Sequence, residues 1–211
     1  VMDDSDKWAK RMYEEYLKLS PKDPEPYLKI GNINFAAADF LRQLDRADLQ
    51  NQVSAGLKLA EENYQRAVQL KPNYVLAIYN LGVVYERQGR VKDAIGQLEL
   101  IKQANPSDAN LIFQLGLLYY RDSQKTKSFN ELERAIAIFP DFSNARWYLA
   151  LLYEERGELD SALSQLYKVE KLNPDNAILI AKINQLKAGK RLIPPQKITG
   201  VKPLEEKSRN Q

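Results

Sequence analysis

The 211-residue chain contains no cysteine and no histidine. Without cysteine there is no disulfide, no thiol nucleophile and no thiolate ligand for a metal. Without histidine the commonest general base in enzymes is also missing. A site built from carboxylates, or from serine and lysine, remains chemically possible.

The sequence also lacks long apolar segments. No run approaches the roughly 20 residues that a membrane-spanning helix requires, and the first residues do not follow the pattern of a secretory signal. The opening residues resemble the edge of a fragment, so localisation signals can lie outside this sequence. We expect a soluble protein with a cytoplasmic location favoured, and a cell-envelope-attached region of a larger protein as the alternative.

The net charge of +3 is unevenly distributed. Residues 190–211 contain six basic and two acidic residues, which leaves residues 1–189 with a net charge of −1. Nucleic-acid-binding domains more usually carry a basic face, so we expect no nucleic-acid partner. The basic, proline-containing tail over 190–211 has a composition that predicts no packed structure of its own.

Proline recurs with a fixed period of 34 residues, at Pro72, Pro106, Pro140 and Pro174. A period of this length indicates stacked copies of one small structural unit. In the copy that ends at Pro106, two apolar stripes at helical spacing are separated by Gln88-Gly89. Each copy therefore predicts two amphipathic helices joined by a tight turn.

Small residues stand at matching places in the two predicted helices of a copy. Gly82 lies in the first helix and Ala94 in the second. We expect the two backbones to approach most closely there, because a larger side chain would force the helices apart at about 1–3 kcal/mol. The third copy departs from the pattern at Arg146, where the other copies have isoleucine.

The residues that carry the pattern resemble the tetratricopeptide repeat (TPR) family, which has a large residue, Leu-Gly and Tyr in the first helix, and Ala, an aromatic residue and Ala in the second, followed by Pro. Matching first-helix residues are Ile78, Leu81, Gly82, Tyr85, Ile112, Leu115, Gly116, Tyr119, Leu149, Ala150 and Tyr153. Matching second-helix residues are Ala94, Leu98, Ile101, Ser128, Leu132, Ala135, Ala162, Leu166 and Val169. The resemblance implies an all-α, right-handed superhelical solenoid of antiparallel helix pairs, whose inner face binds peptides or proteins. In its general pattern the sequence is similar to bacterial TPR proteins and to excised TPR regions.

We predict one array over residues 1–189. Its parts are a lone N-terminal helix (1–21), a repeat with a long hairpin insertion (22–72), three regular repeats (73–106, 107–140 and 141–174) and a capping helix (175–189). The insertion predicts a first complete hairpin extended by about two turns per helix, with its turn near Asp45–Asp48. A flexible surface loop is the alternative. The capping helix presents Asn184 and Lys187 where other copies have Gly or Ala and Tyr, as a terminal repeat requires.

The first helices of the array would line a concave groove. Residues at matching positions form the candidate peptide-binding row, namely Tyr79, Asn80, Val83, Arg87, Phe113, Gln114, Leu117, Tyr120, Arg121, Trp147 and Leu151. The alternative is that these side chains mainly pack between neighbouring helices. The best-known peptide site of the TPR family is a clamp of basic residues and two asparagines that holds a terminal carboxylate. Asn32 and Asn80 match its two asparagines. Leu28, Asn110 and Gln114 stand where its cations belong, so we reject that ligand.

The sequence predicts a non-enzymatic protein-interaction scaffold. We predict no catalytic, metal or cofactor-binding residues, and we interpret the pair Glu154-Glu155 as a solvated helix face. One alternative is a regulatory or targeting TPR region of a larger bacterial enzyme or cell-envelope protein. Another is a scaffold that self-associates through the N-terminal helix or the tail. Candidate docking anchors in the tail are Leu192, Ile193, Ile198, Val201 and Leu204.

Overall fold

The structure is a computed structural model that describes residues 4–189. Within these residues the chain forms ten α-helices and no β-strand. In chain order the helices are α1 (Asp4–Leu19), α2 (Pro24–Gln43), α3 (Gln50–Leu70), α4 (Val75–Arg87), α5 (Val91–Ala104), α6 (Ala109–Arg121), α7 (Lys125–Ile138), α8 (Ser143–Arg156), α9 (Leu159–Leu172) and α10 (Ala177–Lys187). The predicted all-α class is confirmed.

The helix boundaries follow the 34-residue period of the prolines. Helices α3, α5, α7 and α9 each end two residues before a proline, as does α1 before Pro21. Proline causes this ending because it disfavours helical geometry in the residue that precedes it. Helices α4, α6, α8 and α10 also begin at 34-residue intervals. The prediction that each proline marks the exit of a second helix is confirmed.

A left-handed residue joins the two helices of each regular hairpin. It is Gly89 in the first hairpin, Ser123 in the second and Gly157 in the third, with φ of 77°, 59° and 80°. The amide that follows each of them donates to a tyrosine carbonyl five residues earlier, at 2.8–2.9 Å. This arrangement satisfies carbonyl groups that the end of an α-helix leaves unpaired. The turn therefore favours glycine, and serine at position 123 is strained.

We predict that Ser123→Gly stabilises the protein. A non-glycine residue in the left-handed region costs roughly 1–2 kcal/mol, which glycine avoids. Glycine is also more flexible in the unfolded chain, and this cancels roughly 0.5–1 kcal/mol of the stabilisation. We therefore expect the free energy of unfolding to rise by about 0.5–1 kcal/mol, measured by urea denaturation. The matched control is Gly89→Ser, which we expect to be destabilising, because a Cβ at Gly89 meets nothing within 4 Å and only the backbone term changes. Equal stability of the parent and the Ser123→Gly variant would contradict the prediction.

Helices α2 and α3 form the predicted extended hairpin. They contain 20 and 21 residues, against 13 or 14 in each helix of the regular hairpins. The turn between them includes Asp45, with φ 49°, and a short 3-10 helix at Ala47–Leu49. At Gly56 the helices come so close that an added Cβ would lie 2.9 Å from Cβ of Ala38. The alternative of a flexible loop is wrong, because both helices continue through the insertion.

The chain divides into two compact units, one ending at Asn105 and the other beginning at Pro106. In unit 1 the hairpins α2–α3 and α4–α5 stack through α3 and α4, and α1 packs on α2. In unit 2 the hairpins α6–α7 and α8–α9 stack through α7 and α8, and α10 packs on α9. The single array over 1–189 stays a prediction.

Small residues allow the close approach predicted within each hairpin. A Cβ added to Gly82 would lie 2.6 Å from Cδ1 of Leu98 and 3.6 Å from the carbonyl oxygen of Ala94. In unit 2, a Cβ added to Gly116 would lie 3.1 Å from Leu132. Each glycine therefore makes room for a buried side chain of the second helix, as predicted for Gly82 and Ala94.

Arg146 fits the interior of its hairpin because its polar groups are satisfied. Its Nε donates to the carbonyl oxygen of Pro140 at 2.8 Å, and its Nη1 donates to Oε1 of Gln165 at 2.7 Å. Burial lowers the pKa of Arg146 from its ordinary value, while the charge of Asp141 opposes this effect. The hydrogen bonds offset the cost of placing a guanidinium where the other copies bury isoleucine.

Helix α10 caps unit 2, and its outer surface is mixed, with Ile178 and Ile180 62 % and 39 % exposed. Its apolar side chains Leu179, Ile183 and Leu186 are buried in the core of unit 2, whereas Asn184 and Lys187 are exposed. The predicted capping helix is therefore confirmed. Its two polar residues occupy the positions at which other first helices carry glycine or alanine and tyrosine.

Candidate functional site

The predicted row of binding residues is shared between the two units. Tyr79, Asn80, Val83 and Arg87 lie on α4 in unit 1. The remaining members lie on α6 and α8 in unit 2, and each unit is described by itself.

Unit 1 contains a pocket between α2 and α4, floored by a side chain of α3. Its volume is about 260 Å³, and it is lined by Asn32, Phe35, Tyr64, Asn80 and Val83. Asn80 and Val83 belong to the predicted row. We refer to this group of five residues as the asparagine pocket.

A hydrogen-bond network fixes the two asparagines of the pocket. The Tyr64 hydroxyl donates to Oδ1 of Asn32 at 2.8 Å, and Nδ2 of Asn80 donates to the same oxygen at 2.9 Å. Burial raises the pKa of Tyr64 well above its ordinary value, although a hydrogen bond with the Asn80 side chain opposes this effect. The Asn32 Nδ2–H groups and the Asn80 Oδ1 take no part in this network and can meet a ligand.

Gly31 positions the tyrosine that supports the network. A Cβ at Gly31 would lie 2.5 Å from Cε1 of Tyr64, so only glycine lets the ring lie against α2. The ring is 1 % exposed. Gly31 therefore positions Asn32 indirectly. It leaves room for the ring of Tyr64, and the hydroxyl of that ring donates a hydrogen bond to Asn32.

An ion pair joins α4 to α2 at one end of the asparagine pocket. Arg87 on α4 donates through Nε to Oδ1 of Asp39 on α2 at 3.2 Å. Asp39 also accepts hydrogen bonds from Arg42 and Gln43, each at 3.0 Å. Burial pushes the pKa of Asp39 upward, but these hydrogen bonds and the charges of Arg42 and Arg87 outweigh it, so the pKa is lowered. Arg87 is thus paired with α2.

In unit 2 three members of the row lie inside the core. Phe113, Trp147 and Leu151 are 4 %, 5 % and 6 % exposed. The ring of Phe113 packs on Phe142, with centroids 4.7 Å apart, while Trp147 and Leu151 share a cluster with residues of α9 and α10. For these three residues the packing alternative describes the structure, because their side chains are not offered to a ligand.

Other members of the row in unit 2 remain at the surface. Gln114, Leu117 and Tyr120 are partly exposed, and Arg121 is exposed. The ring of Tyr120 meets Tyr148 edge-on at 6.3 Å, and its hydroxyl donates to Oε1 of Glu155 at 2.7 Å. Burial, followed by the adjacent carboxylate of Glu155, raises the pKa of Tyr120. The result is a small aromatic surface on α6 and α8.

The interpretation of Glu154-Glu155 as a solvated face is wrong for Glu154. Its Oε2 lies 2.6 Å from Nζ of Lys182 on α10, and both side chains are more than nine-tenths buried. Glu155 is exposed, as expected, and also pairs with Lys125. A contact between α8 and α10 cannot be read from one helix alone, which explains the error.

Sequence reasoning did not assign Asn32, Phe35 and Tyr64 to a binding site. A signal existed, because Asn32 follows Gly31 as Val83 follows Gly82 and so stands at a first-helix position of the row. The predicted tail anchors, Leu192, Ile193, Ile198, Val201 and Leu204, lie outside the described residues.

Comparison with protein families identifies the repeat. Two tetratricopeptide repeat models match residues 113–177 and 76–108, and a TPR repeat model matches residues 57–89. Together the matches cover more than half of the 211 residues. The chain belongs to the tetratricopeptide repeat family. No curated relative matches it.

Solved TPR structures share the fold. YrrB, described as a TPR protein with an unusual peptide-binding site, is 23% identical, with 84% of this chain and 83% of that chain covered and a TM-score of 0.62. MamA from Desulfovibrio magneticus RS-1 is 22% identical, with 84% and 99% covered and a TM-score of 0.64. The first TPR of Spaghetti (RPAP3), bound to the HSP90 peptide SRMEEVD, is 18% identical, with 55% and 91% covered and a TM-score of 0.51.

The TPR repeats and these neighbours support a protein-interaction scaffold as the general role. The identities are low, so the structural likeness by itself establishes the fold alone. None of the helices in residues 4–189 has the length and apolar character needed to cross a membrane.

Proposed function

We propose that the chain is a non-catalytic scaffold that binds an extended peptide segment of a partner protein at the asparagine pocket of unit 1. The observation that carries the proposal is the pair formed by Asn32 and Asn80, whose side chains are held by a buried tyrosine at the edge of an open pocket. Relatives of known structure include one described by its peptide-binding site and one bound to a peptide.

The chemistry of the pocket suits a peptide backbone. A carboxamide offers both N–H donors and a carbonyl acceptor, which are the two groups that a peptide bond requires. Within residues 4–189, the Nδ2–H groups of Asn32 and Oδ1 of Asn80 have no hydrogen-bond partner, so Asn32 offers donors and Asn80 an acceptor from the two helices α2 and α4. Because the network is already formed, little side-chain entropy is lost when a ligand binds.

The size of the pocket indicates what it takes up. Pockets for drug-sized ligands measure roughly 300–1,000 Å³, and this one has about 260 Å³. Phe35 and Val83 provide apolar walls beside the asparagines. We therefore propose that one apolar side chain of the peptide enters the pocket while its main chain pairs with the amides.

The surrounding charges favour a neutral segment over an acidic peptide terminus. Arg87 is paired with Asp39. Leu28, which occupies one of the places where a carboxylate clamp has a cation, is 2 % exposed and lies in the core. A terminal carboxylate would find no unpaired cation at these positions, so charge-assisted bonds cannot supply its affinity.

The test begins with selection of peptides from a displayed library of random 12-residue sequences on the wild-type chain. We predict that Asn80→Ala weakens binding of the selected peptides about tenfold. It removes the acceptor offered to the peptide and one bond that orders Asn32, and each net hydrogen bond contributes roughly 0.5–1.5 kcal/mol. Fluorescence anisotropy of labelled peptides gives the dissociation constants.

The matched control is Asn130→Ala, which changes an exposed asparagine on α7 in unit 2. We expect this variant to bind the peptides like the wild type, and circular dichroism checks that both variants fold. If Asn80→Ala and Asn130→Ala bind every selected peptide with the wild-type affinity, the asparagine pocket is not the binding site.

A further inference from the structure

Three partly exposed side chains in unit 2 form an apolar surface with fixed rings beneath it. They are Leu117 and Tyr120 on α6 and Tyr148 on α8, and all three pack against the same core cluster. We refer to them as the aromatic surface. The ring centroid of Tyr148 lies 6.0 Å from that of Phe113 in the core and 6.3 Å from that of Tyr120. Because the rings hold each other in place, little side-chain entropy is lost when a ligand covers them.

The polar groups beside these rings include donors that have no acceptor. Within residues 4–189, neither the hydroxyl of Tyr148 nor the carboxamide of Gln114 has a hydrogen-bond partner. Burial raises the pKa of Tyr148, although the charge of Arg121 opposes this effect. The protonated hydroxyl and the amide N–H groups can both donate to a ligand.

The charged residues around the aromatic surface have partners of their own. Glu155 pairs with Lys125, Glu154 pairs with Lys182, and Arg121 also takes part in an interaction. No unpaired charge on this part of unit 2 therefore selects an acidic or a basic ligand. Recognition has to depend on apolar contact with the rings and on hydrogen bonds from the two donors.

A polyproline II segment has the chemistry that such a surface requires. Its backbone makes no internal hydrogen bonds, so its carbonyl groups are available to donors. Its proline rings pack in grooves lined by aromatic residues, and its preformed conformation lowers the entropy lost on binding. The Tyr148 hydroxyl and the Gln114 amide match the carbonyl groups, while Tyr120 and Tyr148 match the proline rings.

The chain itself contains a segment of this kind. Residues 192–198 read Leu-Ile-Pro-Pro-Gln-Lys-Ile, and they include the only two consecutive prolines of the sequence. The segment lies in the tail, outside the described residues. Proline fixes its own φ near −65° and disfavours helix in the residue before it, so consecutive prolines favour the extended conformation.

Helix α10 brings the beginning of the tail close to the aromatic surface. Helices α8 and α10 are neighbours, as a buried ion pair between them shows. Gly189, with φ of 64°, stands one 34-residue period after Glu155, and Glu155 accepts a hydrogen bond from Tyr120. Packed helices lie roughly 8–10 Å apart, whereas the five residues 190–194 can span roughly 16 Å. The prolines are therefore within reach of the surface in the same chain.

We propose that residues 192–198 dock on the aromatic surface of their own chain, with Pro194 and Pro195 against the rings of Tyr120 and Tyr148. The short link to α10 favours this occupant over the same segment of a second copy, because it gives an effective concentration in roughly the millimolar range. A partner protein with a proline-containing segment has to displace the tail before it binds unit 2. This site is separate from the asparagine pocket of unit 1.

The absence of cysteine allows a direct test in the full chain. Gln196→Cys introduces the only thiol, next to the two prolines, and a nitroxide spin label is attached to it. We expect the amide NMR signals of Leu117, Tyr120 and Tyr148 to lose at least half of their intensity. The reference is the same labelled chain after reduction of the nitroxide.

Two variants of the labelled chain test the two sides of the contact. Tyr120→Ala should restore the signals of Leu117 and Tyr148, because it removes one of the two rings. Pro194→Gly with Pro195→Gly should also restore them, and this double variant changes no residue of helices α1–α10. The matched control is Tyr167→Ala, which removes a ring that is 36 % exposed on α9 of the same unit and should leave the intensity loss unchanged. Circular dichroism checks that each variant folds.

A mixed sample identifies the source of the segment. It contains isotope-labelled chain without a nitroxide and unlabelled chain with one, and we expect no intensity loss in it. A loss in this sample equal to that in the single labelled chain would overturn the proposal and assign the surface to the tail of a second copy. Full intensity in the single labelled chain, or the same loss in Tyr120→Ala and Tyr167→Ala, would show that the tail does not dock on the aromatic surface.

Discussion

Replacing Lys182 with methionine is expected to lower the free energy of unfolding of unit 2 by about 3–5 kcal/mol. The Nζ of Lys182 lies 2.6 Å from Oε2 of Glu154, and both side chains are more than nine-tenths buried. Removing one partner of a buried ion pair leaves the other charge without compensation in a medium that solvates it poorly. The loss should be visible in urea denaturation followed by the fluorescence of Trp147, which belongs to the adjacent core cluster.

The double variant Lys182→Met with Glu154→Leu separates the value of the pair from the cost of breaking it. Apart from the ion pair, neither Oε1 of Glu154 nor Nζ of Lys182 has a hydrogen-bond partner within residues 4–189. A buried pair with so few supporting bonds is often matched or exceeded in stability by apolar replacements. We expect the double variant to recover most of the loss. A single variant as stable as the wild type would show that water reaches Glu154.

An exposed ion pair provides the reference for this effect. Lys18 and Glu15 lie 2.6 Å apart on α1, with side chains 68 % and 63 % exposed. Exposed pairs contribute little, typically below about 1 kcal/mol. Lys18→Met should therefore change the stability far less than Lys182→Met, although the two pairs have the same length. Burial and not distance determines the difference.

Periodic packing explains how much of the fold the sequence revealed. Each hairpin buries side chains against its neighbours only, so the same positions repeat every 34 residues and the proline that ends each second helix repeats with them. The prolines thus predicted the ends of α3, α5, α7 and α9, and persistent helical spacing predicted the lengthening of α2 and α3. These features depend on local rules that a single sequence contains.

The candidate site depends on contacts that the period does not contain. Tyr79, Phe113 and Trp147 share one position in the repeat, yet Tyr79 is partly exposed and the other two are buried. Phe113 is covered by Phe142, which stands in a loop just before α8. Burial at an equivalent position is therefore decided by non-equivalent neighbours, and sequence reasoning could place the row but not its exposure.

Asn32 is a second residue whose role could not be predicted from its position in the repeat. Its position in the repeat was visible, but its role depends on the hydroxyl of Tyr64, which comes from a second helix 32 residues later. The second helices of the three regular hairpins have leucine at this position, at Leu98, Leu132 and Leu166. Tyrosine instead of leucine is the one sequence feature that could have indicated a polar group beneath the first helix.

Gly31→Ala tests this arrangement, and we expect it to destabilise unit 1 by about 1–3 kcal/mol. The new Cβ would lie 2.5 Å from Cε1 and 2.7 Å from Cδ1 of Tyr64. Overpacking of a closed interior typically costs this amount, and the ring cannot move outward without losing its hydrogen bond to Asn32. Urea denaturation followed by circular dichroism measures the change.

Gly96→Ala is the matched control, because it makes the same substitution within helix α5 of the same unit. A Cβ at Gly96 meets nothing within 4 Å, so only helix propensity changes, and alanine should stabilise the helix by roughly 0.8–1 kcal/mol. The two variants should therefore shift stability in opposite directions. Gly31→Ala should also weaken peptide binding at the asparagine pocket, because a displaced Tyr64 no longer holds Asn32. If Gly31→Ala stabilises the chain as much as Gly96→Ala does, the ring of Tyr64 has room to move and the pocket is not held rigidly.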